Sequence, residues 1–176
     1  KLMKSKENIV FLGMMGSGKT SIGKLVSKKL ELDFFDTDYY IEKKLDMKIS
    51  KIFTIRGEKF FREFEEKITL DILKKKNIVV ALGGGAFLNK NIRKEILANH
   101  LSFWLNYDSK IIINRIKNSS KRPLAYNSTI GELTNLIGKR SNIYSKALYK
   151  VNCDGLTKNQ VTEKILKTYE DCKINN

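Results

Sequence analysis

Gly13-Met-Met-Gly-Ser-Gly-Lys-Thr20 is the stretch whose residue types and spacing most directly imply chemistry. It fits the pattern G-x-x-x-x-G-K-[ST], in which a glycine-rich loop wraps phosphate with inward-facing N–H groups and the next helix adds its positive end. Lys19 is then placed to reach the β and γ phosphates, and the Thr20 hydroxyl to hold Mg²⁺. Gly13, Gly16, Ser17, Gly18 and Ser21 complete this nucleotide cradle. Asp36-Thr-Asp38 reads as the end of the next strand. One of its carboxylates can orient metal-bound water while the other faces a nucleophile, although Asp38 serves equally well as a helix N-cap.

Four further groups carry charge or close-approach geometry. In Gly57-Glu-Lys-Phe-Phe-Arg-Glu-Phe-Glu65, Arg62 and Glu65 are helix neighbours at i and i+3. A carboxylate gripping one side of a guanidinium leaves the rest of its fork for an anionic ligand. Spacing alone favours a surface ion pair, worth about 0–1 kcal/mol, over that role. Gly83-Gly-Gly85 allows either close backbone approach to a ligand or a loose turn. Arg122, beside the only proline, Pro123, and Arg140, in Arg-Ser-Asn-Ile-Tyr144, are two more cation forks in polar surroundings. The single histidine, His100, is assigned no chemistry.

Elements that could hold these residues alternate along the chain. Short apolar runs at 8–12, 34–35, 78–82, 101–105 and 150–152 read as strands. Amphipathic stretches at 19–30, 38–45, 58–75, 92–98, 109–117, 130–149 and 159–172 read as helices. Strands separated by helices predict an α/β fold with right-handed crossovers and a parallel sheet covered on both faces. Ligands of such sheets lie outside the carboxyl ends of the strands, where the phosphate loop, Asp36-Thr-Asp38 and Gly83-Gly-Gly85 all fall. Residues 38–75 hold more helix than one crossover needs, enough for a small lobe over that edge. Residues 118–129 are polar and irregular, a loop of functional length.

Composition bounds the reading. The 176 residues carry 34 Lys plus Arg against 19 Asp plus Glu, a formal net charge of +15. The length suits one domain, 1–176. With 41% hydrophobic and 30% charged residues, a disordered polyelectrolyte is excluded. The basic balance raises a nucleic-acid partner. However, 28 of the 34 basic residues are Lys, beside 20 Ile and 15 Asn, a joint skew expected of an AT-rich genome. No apolar run approaches the ~18 residues of a membrane span, and residues 9–15 run straight into glycines instead of forming an export signal. Cys153 and Cys172 lack metal-ligand spacing and fit a reducing, cytoplasmic setting.

Taken together, the phosphate loop, Asp36-Thr-Asp38, Gly-Glu-x-x-Phe-Arg-x-x-Glu, Gly83-Gly-Gly85, Arg122-Pro123-Leu124 and Arg140-x-x-x-Tyr144 occur in the order and spacing of shikimate kinases. The chain resembles that family over residues 8–166. The resemblance implies a P-loop kinase core with a five-stranded parallel sheet flanked by helices, a small substrate-binding lobe at about 38–75 and a mobile lid at about 118–129. It implies ATP and Mg²⁺, and phosphorylation of the shikimate 3-hydroxyl on the route to chorismate and aromatic amino acids. By motif, Lys19 binds phosphate, Thr20 and Asp36 serve the metal, and Asp38 orients or deprotonates the nucleophile. Arg62 and Arg140 grip the substrate carboxylate, Gly84 assists at the ring hydroxyls with Gly83 and Gly85 beside it, and Phe53 and Phe61 pack near the ring. Arg122 becomes the lid arginine over the transferring phosphoryl, and Arg115 stacks on adenine. A monomer is expected, acting on shikimate and ATP with neither nucleic acid nor membrane as partner. Asp154-Gly-Leu-Thr-Lys158 departs from the family, many of whose members place a proline there on the adenine side. Two other readings compete. A kinase of another small hydroxy acid such as gluconate, or of a nucleotide, keeps the loop but needs different lobe residues, and a nucleic-acid-binding P-loop protein is suggested by charge alone.

Overall fold

The computed structural model describes residues 8–119 and 127–174. Its strands are β1 (Ile9–Leu12), β2 (Asp33–Asp36), β3 (Ile78–Ala81), β4 (Leu101–Asn106) and β5 (Tyr149–Asn152). The α-helices among the described residues are α1 (Lys19–Leu30), α2 (Thr37–Leu45), α3 (Ile49–Leu73), α4 (Lys90–Asn99), α5 (Ser109–Lys117), α6 (Ile130–Tyr144) and α7 (Lys158–Ile174). A short 3₁₀ turn, Ala86–Leu88, follows β3.

All strand pairs are parallel, in the order β2-β3-β1-β4-β5. The inner strands Ile-Val-Phe-Leu and Ile-Val-Val-Ala are buried at every position, as strands covered on both faces must be. Successive side chains point to opposite faces, so Val10, Leu12 and Val80 join one core beneath α2 to α6 while Ile9, Phe11 and Val79 join the other beneath α1 and α7. The edge strands β2 and β5 keep exposed positions at Asp33 and Lys150. Chain order reverses at β1, whose neighbours are β3 and β4. A crevice therefore opens at its carboxyl end, where the phosphate loop begins.

Three of the boundaries that differ from the sequence reading have clear physical causes. The strand expected at 34–35 extends over Asp33–Asp36, because each residue finds a partner in β3. The helix expected from 58 begins at Ile49 and bends at Gly57, whose φ of 82° interrupts the helical path. The helix expected over 130–149 starts on a Thr129/Glu132 capping box but stops at Tyr144. Helix-forming Lys, Ala and Leu continue the pattern past that point. Tertiary pairing overrides it: Leu148 N–H donates to Ser102 Oγ at 2.8 Å, and Tyr149 pairs with Phe103 as the first residue of β5. No helix among the described residues is long and apolar enough to cross a membrane. Arg122 and most of the expected lid lie outside the described residues.

Candidate active site

The loop between β1 and α1 carries Gly13, Gly16 and Gly18 at φ of 144°, 79° and 84°, a region that side chains with a Cβ occupy only under strain. Gly18 is also the N-cap of α1, so the helix opens at Lys19 with its N–H groups toward the loop. Lys19 is buried, and its Nζ donates to the carbonyls of Gly13 and Met14 at 2.8 and 2.9 Å, folding the ammonium onto its own loop. Thr20 Oγ1 donates to Asp36 Oδ2 at 2.6 Å. The other Asp36 oxygen accepts Tyr39 N–H at 3.1 Å, so Asp36, not Asp38, is the N-cap of α2.

The hydroxyl and carboxylate of Thr20 and Asp36 are hard oxygen donors of the kind Mg²⁺ prefers, in a number that leaves most of its sphere to phosphate and water. Among the described residues no group of three His, Cys, Asp or Glu side chains could hold a metal ion by itself. Ser17 Oγ is buried inside the loop without a hydrogen-bond partner among the described residues. Ser21 Oγ lies 3.5 Å from Lys158 Nζ at the start of α7. Arg115 reaches across from α5, donating to Gly16 O at 2.9 Å with its guanidinium carbon 4.3 Å from the Tyr107 ring centre. Nothing in the sequence pattern marked Tyr107, because a ring after a strand has no distinctive spacing.

The opposite wall is the glycine run after β3. None of Gly83, Gly84 and Gly85 has a positive φ, so conformational freedom does not explain them. Space does. A Cβ on Gly83 would lie 2.4 Å from Asp38 Oδ1 and 3.2 Å from Glu65 Oε2. On Gly84 it would lie 3.3 Å from Arg140 Nη1 and 3.6 Å from the Met15 nitrogen, and on Gly85 2.4 Å from Arg62 Nη1. Three distant helices, α2, α3 and α6, and the phosphate loop thus converge on a bare stretch of backbone. Thr37, wholly buried between the two aspartates, accepts Gly83 N–H on its Oγ1 at 2.9 Å, which commits that amide to the fold and leaves Gly84 and Gly85 as the amides nearer the forks.

Arg62 donates from Nη1 to Glu65 Oε1 at 2.7 Å. Glu65 is 1% exposed, which rules out the surface ion pair that the spacing allowed. Its burial pushes the carboxyl pKa above its ordinary value, against the charge and hydrogen bond of Arg62, with Asp38 adding to the rise and Arg140 opposing it. Removing Arg62 would leave the buried Glu65 charge without its partner, at a cost of up to about 3–5 kcal/mol, whereas the partly exposed Arg62 would regain water if Glu65 were removed. Phe53 and Phe61, with ring centres 4.6 Å apart, lie against the same guanidinium. Arg140 Nε and Nη1 are buried with no hydrogen-bond partner among the described residues. Buried donors left unpaired are costly, so their persistence beside Gly84 points to an anion as the missing partner.

The shikimate kinase family model matches residues 15–170. A shikimate kinase from Thermodesulfovibrio yellowstonii is 42% identical over 165 residues, covering 93% of this chain and 95% of the relative. One from Bacillus subtilis is 40% identical over 171 residues, covering 93% and 89%. The solved shikimate kinase of Acinetobacter baumannii in complex with shikimate superposes with a TM-score of 0.88 at 27% identity, covering 96% of each chain. With the family model spanning most of its length and close relatives matched end to end, the chain belongs to the shikimate kinase family.

Proposed function

We propose that the protein transfers the γ-phosphoryl group of ATP to the 3-hydroxyl of shikimate, yielding shikimate 3-phosphate and ADP for chorismate and aromatic amino acid synthesis. The observation that carries this reading is the pair of buried Arg140 nitrogens without a partner among the described residues, beside the Arg62 fork, with the Asp38 carboxylate against the same glycine run. Two fixed guanidinium groups suit a carboxylate, and a carboxylate set against the same glycine run suits a hydroxyl that must lose its proton.

Phosphoryl transfer asks mainly for positioning and charge stabilisation. Arg62 and Arg140 hold the acid, and Glu65 fixes the Arg62 plane from behind. Asp38 accepts the hydroxyl proton as the oxygen bonds to the γ phosphorus and the bond to the β–γ bridging oxygen breaks. Lys19 exchanges the carbonyls of Gly13 and Met14 for phosphate oxygens, drawing the charge toward the loop amides. Thr20 and Asp36, the latter through water, would hold Mg²⁺, which when bound neutralises phosphate charge. Arg115 flanks the base of the nucleotide, and Arg122 acts as the lid arginine over the transferring group. The same reading takes the protein to work as a monomer in the cytoplasm.

The test is ADP release by the purified protein with shikimate, gluconate and nucleoside monophosphates compared side by side. Turnover confined to shikimate is expected. Faster turnover with gluconate or a nucleotide, or ADP release indifferent to all three, would overturn the assignment.

A further inference from the structure

Three consecutive glycines offer no side chain by which their own backbone can be held, yet the Gly83-Gly84-Gly85 run forms the wall against which the acceptor groups pack. Backbone of this composition has the largest conformational freedom to lose, so its peptide planes must be fixed from outside. Two buried hydroxyls do this from opposite directions. Thr37 Oγ1 takes Gly83 N–H at 2.9 Å from the β2–α2 junction. Tyr144 donates its hydroxyl to the Gly84 carbonyl from the last residue of α6. Tyr144 is 1% exposed, its hydroxyl lies 3.9 Å from Met14 Sδ of the phosphate loop, and its ring packs against Trp104 of β4 at 6.0 Å.

Because a peptide unit is planar, fixing the Gly84 carbonyl also fixes the Gly85 N–H across the same bond. Tyr144 lies one helical turn beyond Arg140, so both project from the same side of α6. Arg140 Nη1 would lie 3.3 Å from a Cβ on Gly84, while the Tyr144 hydroxyl holds the oxygen of that residue. The helix that brings the cation therefore also sets the backbone beside it.

We infer that Tyr144 is a positioning residue for the phosphoryl acceptor: its hydroxyl orients the Gly84–Gly85 peptide and keeps that wall in register with Arg140. This rests on the proposed acceptor site but adds a residue and a role that the binding groups themselves do not include. Thr37 holds the preceding amide, so the acceptor wall is gripped once from the aspartate side and once from the arginine side.

The variant Tyr144→Phe removes the hydroxyl while keeping the ring in its packing. We expect the Michaelis constant for shikimate to rise about five- to twenty-fold with the dissociation constant for ATP changed less than about two-fold. The melting temperature should fall by less than about 5 °C. In nitrogen-15 amide spectra of the ligand-free protein, Gly84 and Gly85 should shift while Gly16 and Gly18 stay in place. An unchanged Michaelis constant in an active enzyme, equal losses for shikimate and ATP, a melting drop above about 15 °C, or unmoved Gly84 and Gly85 resonances would each overturn the inference. If the wild-type protein shows no shikimate-dependent ADP release, the proposed function fails, and the amide spectra alone decide the role of Tyr144.

Discussion

The donor and acceptor walls of the crevice solve the same problem, holding anionic ligands, in opposite ways. On the donor side most of the polar side chains already have partners: Lys19 rests on the carbonyls of Gly13 and Met14, Thr20 on Asp36, and Arg115 on Gly16, while Ser17 Oγ is buried without one among the described residues. A nucleotide arriving there must replace these bonds, so its phosphates gain only the difference between old and new partners. On the acceptor side Arg140 keeps two buried nitrogens without a partner among the described residues, and Glu65 sits buried with its carboxyl pKa raised. An acid binding there relieves a cost the fold is already bearing. The donor wall thus has its cations satisfied by its own loop, whereas the acceptor wall holds buried donors whose partner is not among the described residues.

The comparison breaks most sharply at Asp38, which is not the N-cap of α2 and therefore has no structural bond of that kind to lose. Asp38→Asn should lower kcat by about 10²–10⁴ while nucleotide affinity stays within about two-fold, read by coupled ADP release and by calorimetric titration with ATP. Near-normal turnover would remove Asp38 from the chemistry.

Arg140→Ala and Lys19→Ala sharpen the contrast between the walls. Loss of a hydrogen bond to a charged group, worth about 1.5–3 kcal/mol, should raise the Michaelis constant for shikimate by about 10–150-fold in Arg140→Ala and leave ATP affinity unchanged. The melting temperature of the ligand-free protein should hold or rise, because an unpaired buried charge has gone. Lys19→Ala should lower it, since two loop carbonyls lose their donor. Equal melting shifts would contradict the different states of the two cations.

A smaller effect is expected from the backbone. Gly85→Ala puts a Cβ 2.4 Å from Arg62 Nη1, and the overpacking should cost about 1–3 kcal/mol in denaturant unfolding. It should also weaken shikimate binding more than ATP binding.

The smallest expected effect is a slope. The Glu65 pKa is raised in the folded protein, so the folded state holds this proton at pH values where the unfolded chain, near 4.5, has released it. The associated stability is present below 4.5 and is lost as pH rises through the folded value. Glu65→Gln, which keeps an acceptor for Arg62 but cannot titrate, should flatten that part of the melting profile. A variant profile parallel to that of the wild type would show that Glu65 is not the group responsible.

Several elements of this arrangement are legible from local sequence. The phosphate loop announces itself because glycines at fixed spacing, a Lys and a Thr are all required within eight residues. The alternation of apolar runs and amphipathic stretches gave the parallel sheet, since strands buried on both faces must be apolar throughout. Gly57 and the early start of α3 were harder to see, because a helix that bends at a left-handed glycine reads as two segments with a break. Tyr149 looked helical because its neighbours favour helix, and only pairing with Phe103 makes it a strand residue.

By itself, then, the sequence determined the α/β class and the family, and it named the side chains that could bind phosphate and an anionic acceptor. It left open whether Arg62 and Glu65 are a solvated pair and whether Asp38 is a cap, because spacing along a helix says nothing about what lies against it. Tertiary structure decided both, by burying Glu65, by giving the cap to Asp36 and by setting Asp38, Arg62 and Arg140 against three glycines whose Cβ atoms would crowd them. Burial and convergence depend on residues scores of positions apart, and only the packed sheet brings those within hydrogen-bonding reach.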